Sequence, residues 1–314
     1  MTRRIILAGA SGFLGQILRE HFLKQSCEVI VLTRSPREAK SGGRECFWDG
    51  HTLGEWAREI DGADVLINLA GRSVNCRYHA RNRRLMLDSR VNSTRILGEA
   101  VAQCARPSRL WLNSSTATIY KHSLDRPMDE SGEIGATPEA KDAFSIEVAT
   151  AWEQAFHEAK TPRTRKIALR TAMVLGHGEN SVFPMLCRLV RVGLGGRMAS
   201  GRQYVSWIHQ TDFCRAIDWL IEHEEFSGPV NLAAPNPVPN REMMATLRGL
   251  CGAPFGLPAA AWMLEVGAFF LRTETELIIK SRRVVPGRLV DSGFQFRFAQ
   301  IREAMADLST RART

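Results

Sequence analysis

Three glycines set three residues apart, Gly9, Gly12 and Gly15, are the residues whose spacing speaks most directly of chemistry. The apolar run Ile5-Ile6-Leu7-Ala8 before them is too short for a helix and suits a buried strand. Leu14, Ile17, Leu18 and Phe22 behind them recur at helical spacing. Strand, glycine turn and helix make the first half of a βαβ unit. The backbone N–H groups of such a turn, with a helix dipole behind them, suit a phosphate. Gly9 permits the tight turn, Gly12 lets a pyrophosphate approach without meeting a Cβ, and Gly15 lets the helix pack on the strand. Ser11, Phe13 and Leu14 belong to the same candidate site. A second signal lies at Thr33-Arg34, where the next buried strand, Cys27 to Arg34, ends. Folds that bind NAD usually carry an acidic residue here for the ribose 2′-OH. An arginine instead pairs with a 2′-phosphate and stacks on adenine, so the expected cofactor is NADP. The competing reading leaves Arg34 as a solvated loop residue. Asp49, after a weaker strand at 45–48, either caps the following helix or sits near the adenine edge.

The elements that must position these residues alternate between strand and helix. Asp64 to Asn68 reads as a fourth strand, and Leu69, Ala70 and Gly71 turn off its end, close enough to touch ribose or pyrophosphate. Such alternation predicts an α/β fold with a doubly wound, Rossmann-type parallel sheet. The chain has 314 residues, enough for one large α/β domain with a smaller lobe. The expected division is a mainly NADP-binding domain over 1–179 and a mainly substrate-binding lobe over 180–314. A stretch near 202–232 returns to the first domain. Seven dispersed cysteines without a Cys-x-x-Cys pair argue against a disulfide framework and against zinc, and suggest the cytoplasm. The chain opens without a signal-peptide pattern. A net charge of +9 favours anionic ligands. Arg72 to Arg95 is dense in arginine, and Arg72 and Arg77 are nearest the turn, placed to hold an anionic substrate or the pyrophosphate. The other arginines read as the solvated face of a long helix. Tyr78 is the one aromatic of that segment, which speaks against nucleic-acid binding. Helices are expected near 241–250 and 259–271; the second reads as buried rather than membrane-spanning.

Several motifs in one order make a resemblance nameable. Gly9 to Gly15, Asn68-Leu69-Ala70-Gly71, Arg90 to Leu97 and Asn113 to Tyr120 resemble the extended branch of the short-chain dehydrogenase/reductase superfamily. Within it the chain is similar to an atypical group, the epimerase family proteins, in Thr33-Arg34, the arginine-rich segment from Arg77, Trp152-Glu153, Gln203 to His209 and Gly293-Phe294. The resemblance implies Thr116 at the place of the Ser/Thr that polarises the substrate oxygen, with Ser114 and Val174 near the nicotinamide. It also implies a Tyr-x-x-x-Lys pair, in which lysine tunes tyrosine as acid or base. The chain has only Tyr78, Tyr120 and Tyr204, none with lysine four residues later. The tyrosine place falls on Phe144 or Ser145 and the lysine place on Val148 or Ala149. Arg90 stands where many relatives have asparagine. Tyr120 either substitutes for the lost phenol or anchors its loop. Glu147 is another possible proton carrier or else a surface charge, and His177 and His209 are expected to be structural. The expectation is thus an NADP-binding oxidoreductase or epimerase acting on a small, unidentified substrate without the usual base. The alternative is a catalytically silent NADP sensor or scaffold. Dimers are common in the superfamily, so a homodimer is compatible.

Overall fold

A computed structural model describes residues 2–36, 42–260, 262–265 and 274–311. Ile5, Leu7, Val29, Val31, Val65 and Ile67 share one hydrophobic cluster, and Ile6, Ala8, Ile30, Leu32 and Leu66 share another. This odd–even division is what a pleated sheet covered on both faces requires. The strands are β1 (Arg4–Ala8), β2 (Glu28–Thr33), β3 (Arg44–Phe47), β4 (Val65–Asn68), β5 (Leu110–Thr116), β6 (Arg165–Thr171) and, after three shorter ones, β10 (Gly228–Leu232). Their spatial order is β10-β6-β5-β4-β1-β2-β3, and every pairing is parallel. The strand order reverses at β1, which lies between β2 and β4. In doubly wound sheets the ligand crevice opens at that switch point, beyond the strands' carboxyl ends.

Helix α1 (Phe13–Lys24) buries Leu18 and Phe22 against the first face. On the other face, α2 (Ala80–Gln103) contributes Ile96, Leu97 and Val101, and α3 (Ala143–Glu158) contributes Phe156, whose ring meets Trp111 edge-on at 4.8 Å. Past β6 the chain forms β7 (Met173–Leu175), α4 (Val182–Arg191), β8 (Tyr204–Val205), β9 (Trp207–His209) and α5 (Gln210–Glu222). After β10 it forms β11 (Val238–Pro239) and α6 (Asn240–Cys251). A second core of Phe183, Leu186, Trp207, Met243, Leu247 and Met305 holds α4, α6 and α9 (Ile301–Arg311) together. Two short helices, α7 (Glu276–Ile279) and α8 (Gly287–Asp291), lead into α9.

The helix expected near 241–250 is α6. Most of the helix expected over 259–271 lies outside the described residues, as does Arg37. No helix among the described residues is long and apolar enough to cross a membrane.

Candidate active site

The cofactor end is built by close backbone contact. Gly9 has φ +72°, and a Cβ there would stand 2.5 Å from the Ala70 Cα. A Cβ on Gly15 would lie 2.3 Å from the Ala10 Cα. Those two glycines are therefore demanded by packing: of the turn on the β4 loop, and of α1 on its own turn. Gly12 differs, since a Cβ there meets nothing within 4 Å and would project into open space. It also begins α1 without a side-chain cap or a first-turn acid. The helix's leading N–H groups are thus free of intrahelical partners and face a cradle that any side chain at residue 12 would occupy. These features fit the pyrophosphate of a dinucleotide.

Across the switch point a buried amide network shapes the β4 turn. Asn68 Nδ2 donates to Asn113 Oδ1 at 2.7 Å and to Thr94 Oγ1 at 3.2 Å, while Asn68 Oδ1 accepts from the Ala70 N–H at 3.0 Å. Trp152 Nε1 donates to the same Thr94 hydroxyl. Arg90 reaches back from α2 to the Arg72 and Met86 carbonyls at 3.1 and 3.0 Å, its guanidinium 5.1 Å from the Trp152 ring. Burial pulls its pKa down to about 10, so it remains a cation at neutral pH. Between these walls runs a cavity of about 520 Å³.

Gly9, Gly12, Phe13, Leu14 and Gly15 line the cavity from the glycine side. Leu69, Gly71 and Arg72 line it from the β4 turn, and Ser114, Thr116 and Val174 from the floor. Ala70 takes no part in the lining but packs on Gly9. Ser11 is exposed at the turn, and Thr33 and the exposed Arg34 stand at the carboxyl end of β2, beyond the enclosed part. Two cofactor assignments need correction. The Asp49 carboxylate accepts from the backbone N–H groups of His51 and Thr52 and from the Thr52 hydroxyl. Burial pushes this carboxyl up, but those hydrogen bonds outweigh it and hold it at about 2. Asp49 is thus committed to its own turn rather than to adenine. Arg77 does not line the cavity and pairs with Glu274 at 3.5 Å.

Of the two catalytic candidates, Thr116 lines the cleft. Its Oγ1 accepts from the Thr118 N–H at 3.1 Å, which leaves its O–H donor for a ligand. Tyr120 is a correction. It is 1% exposed, donates to Asn231 Oδ1 at 2.8 Å and accepts from Arg170 Nη1 at 2.8 Å. Arg170 in turn makes a bidentate pair with buried Glu153. Tyr120 therefore anchors its loop away from the cleft. Glu147 is exposed and does not line the cavity. His209 caps α5 by accepting from the Thr211 N–H, and His177 binds the Leu308 carbonyl. Both histidines are structural.

On α3, Ser145, Val148, Ala149 and Trp152 line the cleft, so Ser145 and Ala149 face it four residues apart, while Phe144 turns to the Tyr78 ring at 5.3 Å. Neither Ser145 nor Ala149 titrates. Ionisable groups arrive there from elsewhere. Tyr78, in the loop before α2, lines the cavity, its N–H held at 2.7 Å by Glu274 Oε1. Buried Glu276 accepts the Ser145 hydroxyl, and burial pushes its carboxyl up. Arg282 Nε donates to Thr118 Oγ1 at 3.0 Å. Beneath them Lys280 and Asp142 form a fully buried ion pair, Lys280 also donating to the Thr118 carbonyl. Glu276 belongs to no local motif. Tyr78 did carry a signal, as the only one of three tyrosines close after the β4 turn.

Fold and site together define a Rossmann-type α/β protein with a nicotinamide-dinucleotide cradle and a cleft at the switch point. The profile of the NAD dependent epimerase/dehydratase family matches residues 5–233, and the chain belongs to that family. Residues 259–308 match a domain of unknown function, DUF1731. The chain is 31% identical over 312 residues to epimerase family protein ML0860 of Mycobacterium leprae, covering 98% of this chain and 96% of that one. It is 29% identical over 308 residues to epimerase family protein YfhF of Bacillus subtilis, covering 97% of each. The structure of human epimerase family protein SDR39U1 with NADPH superposes with a TM-score of 0.85 at 25% identity, covering 98% of this chain and 99% of that one.

Proposed function

We propose that the protein is an NADP-dependent oxidoreductase or epimerase acting on a small, anionic substrate. The observation that carries this reading is one continuous cleft. Its glycine wall is open at Gly12 for a pyrophosphate, and its floor presents the Thr116 hydroxyl. Arg34 at the end of β2 favours a 2′-phosphate over a free ribose hydroxyl, and the similarity to a human relative solved with NADPH supports the same choice. Gly9 to Gly15 and the α1 N-terminus would hold the dinucleotide, which supplies or removes a hydride when bound. Arg72 and Arg90 beside the β4 turn favour an anion. Thr116 orients and polarises the substrate oxygen by donating its hydroxyl proton. Seven free thiols fit a reducing compartment such as the cytoplasm.

A specific observation favours a second reading, a silent NADP sensor: Ser145 and Ala149 stand where a proton-carrying pair would be expected. Mixing the protein with NADPH and a panel of carbonyl compounds separates the two. Steady NADPH oxidation that disappears in Thr116→Val is the expected result. Tight NADPH binding without turnover across the panel would favour the sensor.

A further inference from the structure

Tyr78 occupies an unusual position. The residue lines the cleft and is 9% exposed, while its hydroxyl is buried and makes no well-formed hydrogen bond. Leaving a buried phenol without a firm partner is costly. The neighbouring polar side chain is Ser145, which passes its own proton donor on to Glu276. The backbone of Tyr78 is fixed on both sides, by Glu274 at its N–H and by Arg83 at its carbonyl, and Phe144 packs edge-on against its ring.

We propose that Tyr78, Ser145 and Glu276 form the proton path of the cleft, with Tyr78 meeting the substrate oxygen and Arg90 and Arg282 stabilising its phenolate. The proposal rests on the oxidoreductase reading above. Chemically, the three groups replace a tyrosine and lysine on one helix by contributions from three separate segments. Arg90 lines the cavity with Tyr78, and Arg282 donates to Thr118 of the same lining, so two cations flank the cleft where the phenolate would form. This is the role that lysine fills in the usual pair. The Ser145 hydroxyl pointing at Glu276 is set for alcohol oxidation. The substrate O–H bond breaks and its proton goes to the Tyr78 oxygen. Tyr78 hands a proton to Ser145, and Ser145 hands one to the Glu276 carboxylate. The C–H electron pair leaves as hydride for the oxidised nicotinamide, and a C=O bond forms. Reversing each transfer gives carbonyl reduction, with Glu276 refilled from solvent.

The groups that set the Tyr78 titration are Glu276, Glu274 and Cys76, which oppose its ionisation, and Ser145, Arg90 and Arg282, which favour it. Burial is the largest influence and also opposes it. Asp142, Lys280 and Arg282 surround Glu276 in turn. The first test places fluorotyrosine, a more acidic phenol, at position 78 and follows its titration by fluorine NMR. Glu276→Gln is expected to lower the titration by about one pH unit and Arg282→Gln to raise it by a similar amount. Titration unmoved by either substitution overturns the proposal. The second test measures turnover with NADPH and carbonyl compounds. Tyr78→Phe, which keeps the ring against Phe144, should lose about 100-fold in kcat, and Ser145→Ala about tenfold. Calorimetric affinity for NADPH should stay within about twofold in both. Wild-type turnover in Tyr78→Phe overturns the proposal while leaving the oxidoreductase reading standing. Failure of the wild-type protein to bind NADPH overturns that reading, and the fluorine titration then decides the coupling alone.

Discussion

The two ends of the cleft are built on opposite plans. The cofactor end is local: strand, glycine turn and helix within one short stretch, completed by the neighbouring β4 turn. Its critical contacts are backbone on backbone, at Gly9 and Gly15, with Gly12 open to solvent. The opposite end is assembled from the loop before α2, from α3 and from the segment 274–282, and each of its contacts runs through a side chain, many of them charged. Local design leaves a periodic trace in sequence. Convergent design does not, because charged residues brought together by folding follow no spacing along the chain.

Each plan has its own weakness, and substitutions should expose it. The largest effect is expected at the end built from distant segments. Lys280→Met leaves Asp142 buried without its partner and should cost about 3–5 kcal/mol of stability, read from denaturant unfolding. If that variant unfolds like the wild type, the wall is not held by the pair. Gly12→Val should do the reverse: a nearly unchanged melting temperature, because its Cβ meets no protein atom, with NADPH affinity down by about 100-fold in calorimetry. A variant that melts early would show that Gly12, too, serves packing. Arg34→Asp comes next. It should weaken NADPH by about tenfold and NADH hardly at all; equal loss of both would refute the 2′-phosphate assignment.

The smallest effect concerns Asp49. Its folded pKa of about 2 lies below the ordinary aspartate value near 4. The stability it adds is therefore complete above about pH 4 and is lost as pH falls through 2. Wild type and Asp49→Asn should differ in stability at neutral pH and converge over that window in acid. A gap that stays constant would mean the turn depends on shape rather than charge.

How much could be read beforehand follows the same divide. The parallel sheet, the glycine turn and the place of Thr116 were legible because strand period, turn chemistry and helix spacing are local properties. Asp49 was legible only as a choice between cap and adenine contact, and it does neither: its carboxylate closes an Asx turn on His51 and Thr52, while the next helical turn begins at Gly54. Tyr120 was legible only as a choice between a substitute phenol and a loop anchor, because sequence shows its nearness to Thr116 but not the Arg170 and Asn231 that hold it, 50 and 111 residues away. Glu276 was invisible. Its meaning comes entirely from Ser145, 131 residues earlier.

That separation has a consequence during synthesis. A ribosome delivers the glycine turn, Arg34 and the β4 loop early, while Asn113, which braces that loop through Asn68, and Thr116 on the floor follow later. Tyr78 must wait for Glu274, 196 residues later, before its loop is fixed. Glu276 and Arg282 emerge with it. A nascent chain can thus present the glycine turn long before the segment that fixes Tyr78 has emerged, and the two ends of one cleft are separated in time as well as in sequence.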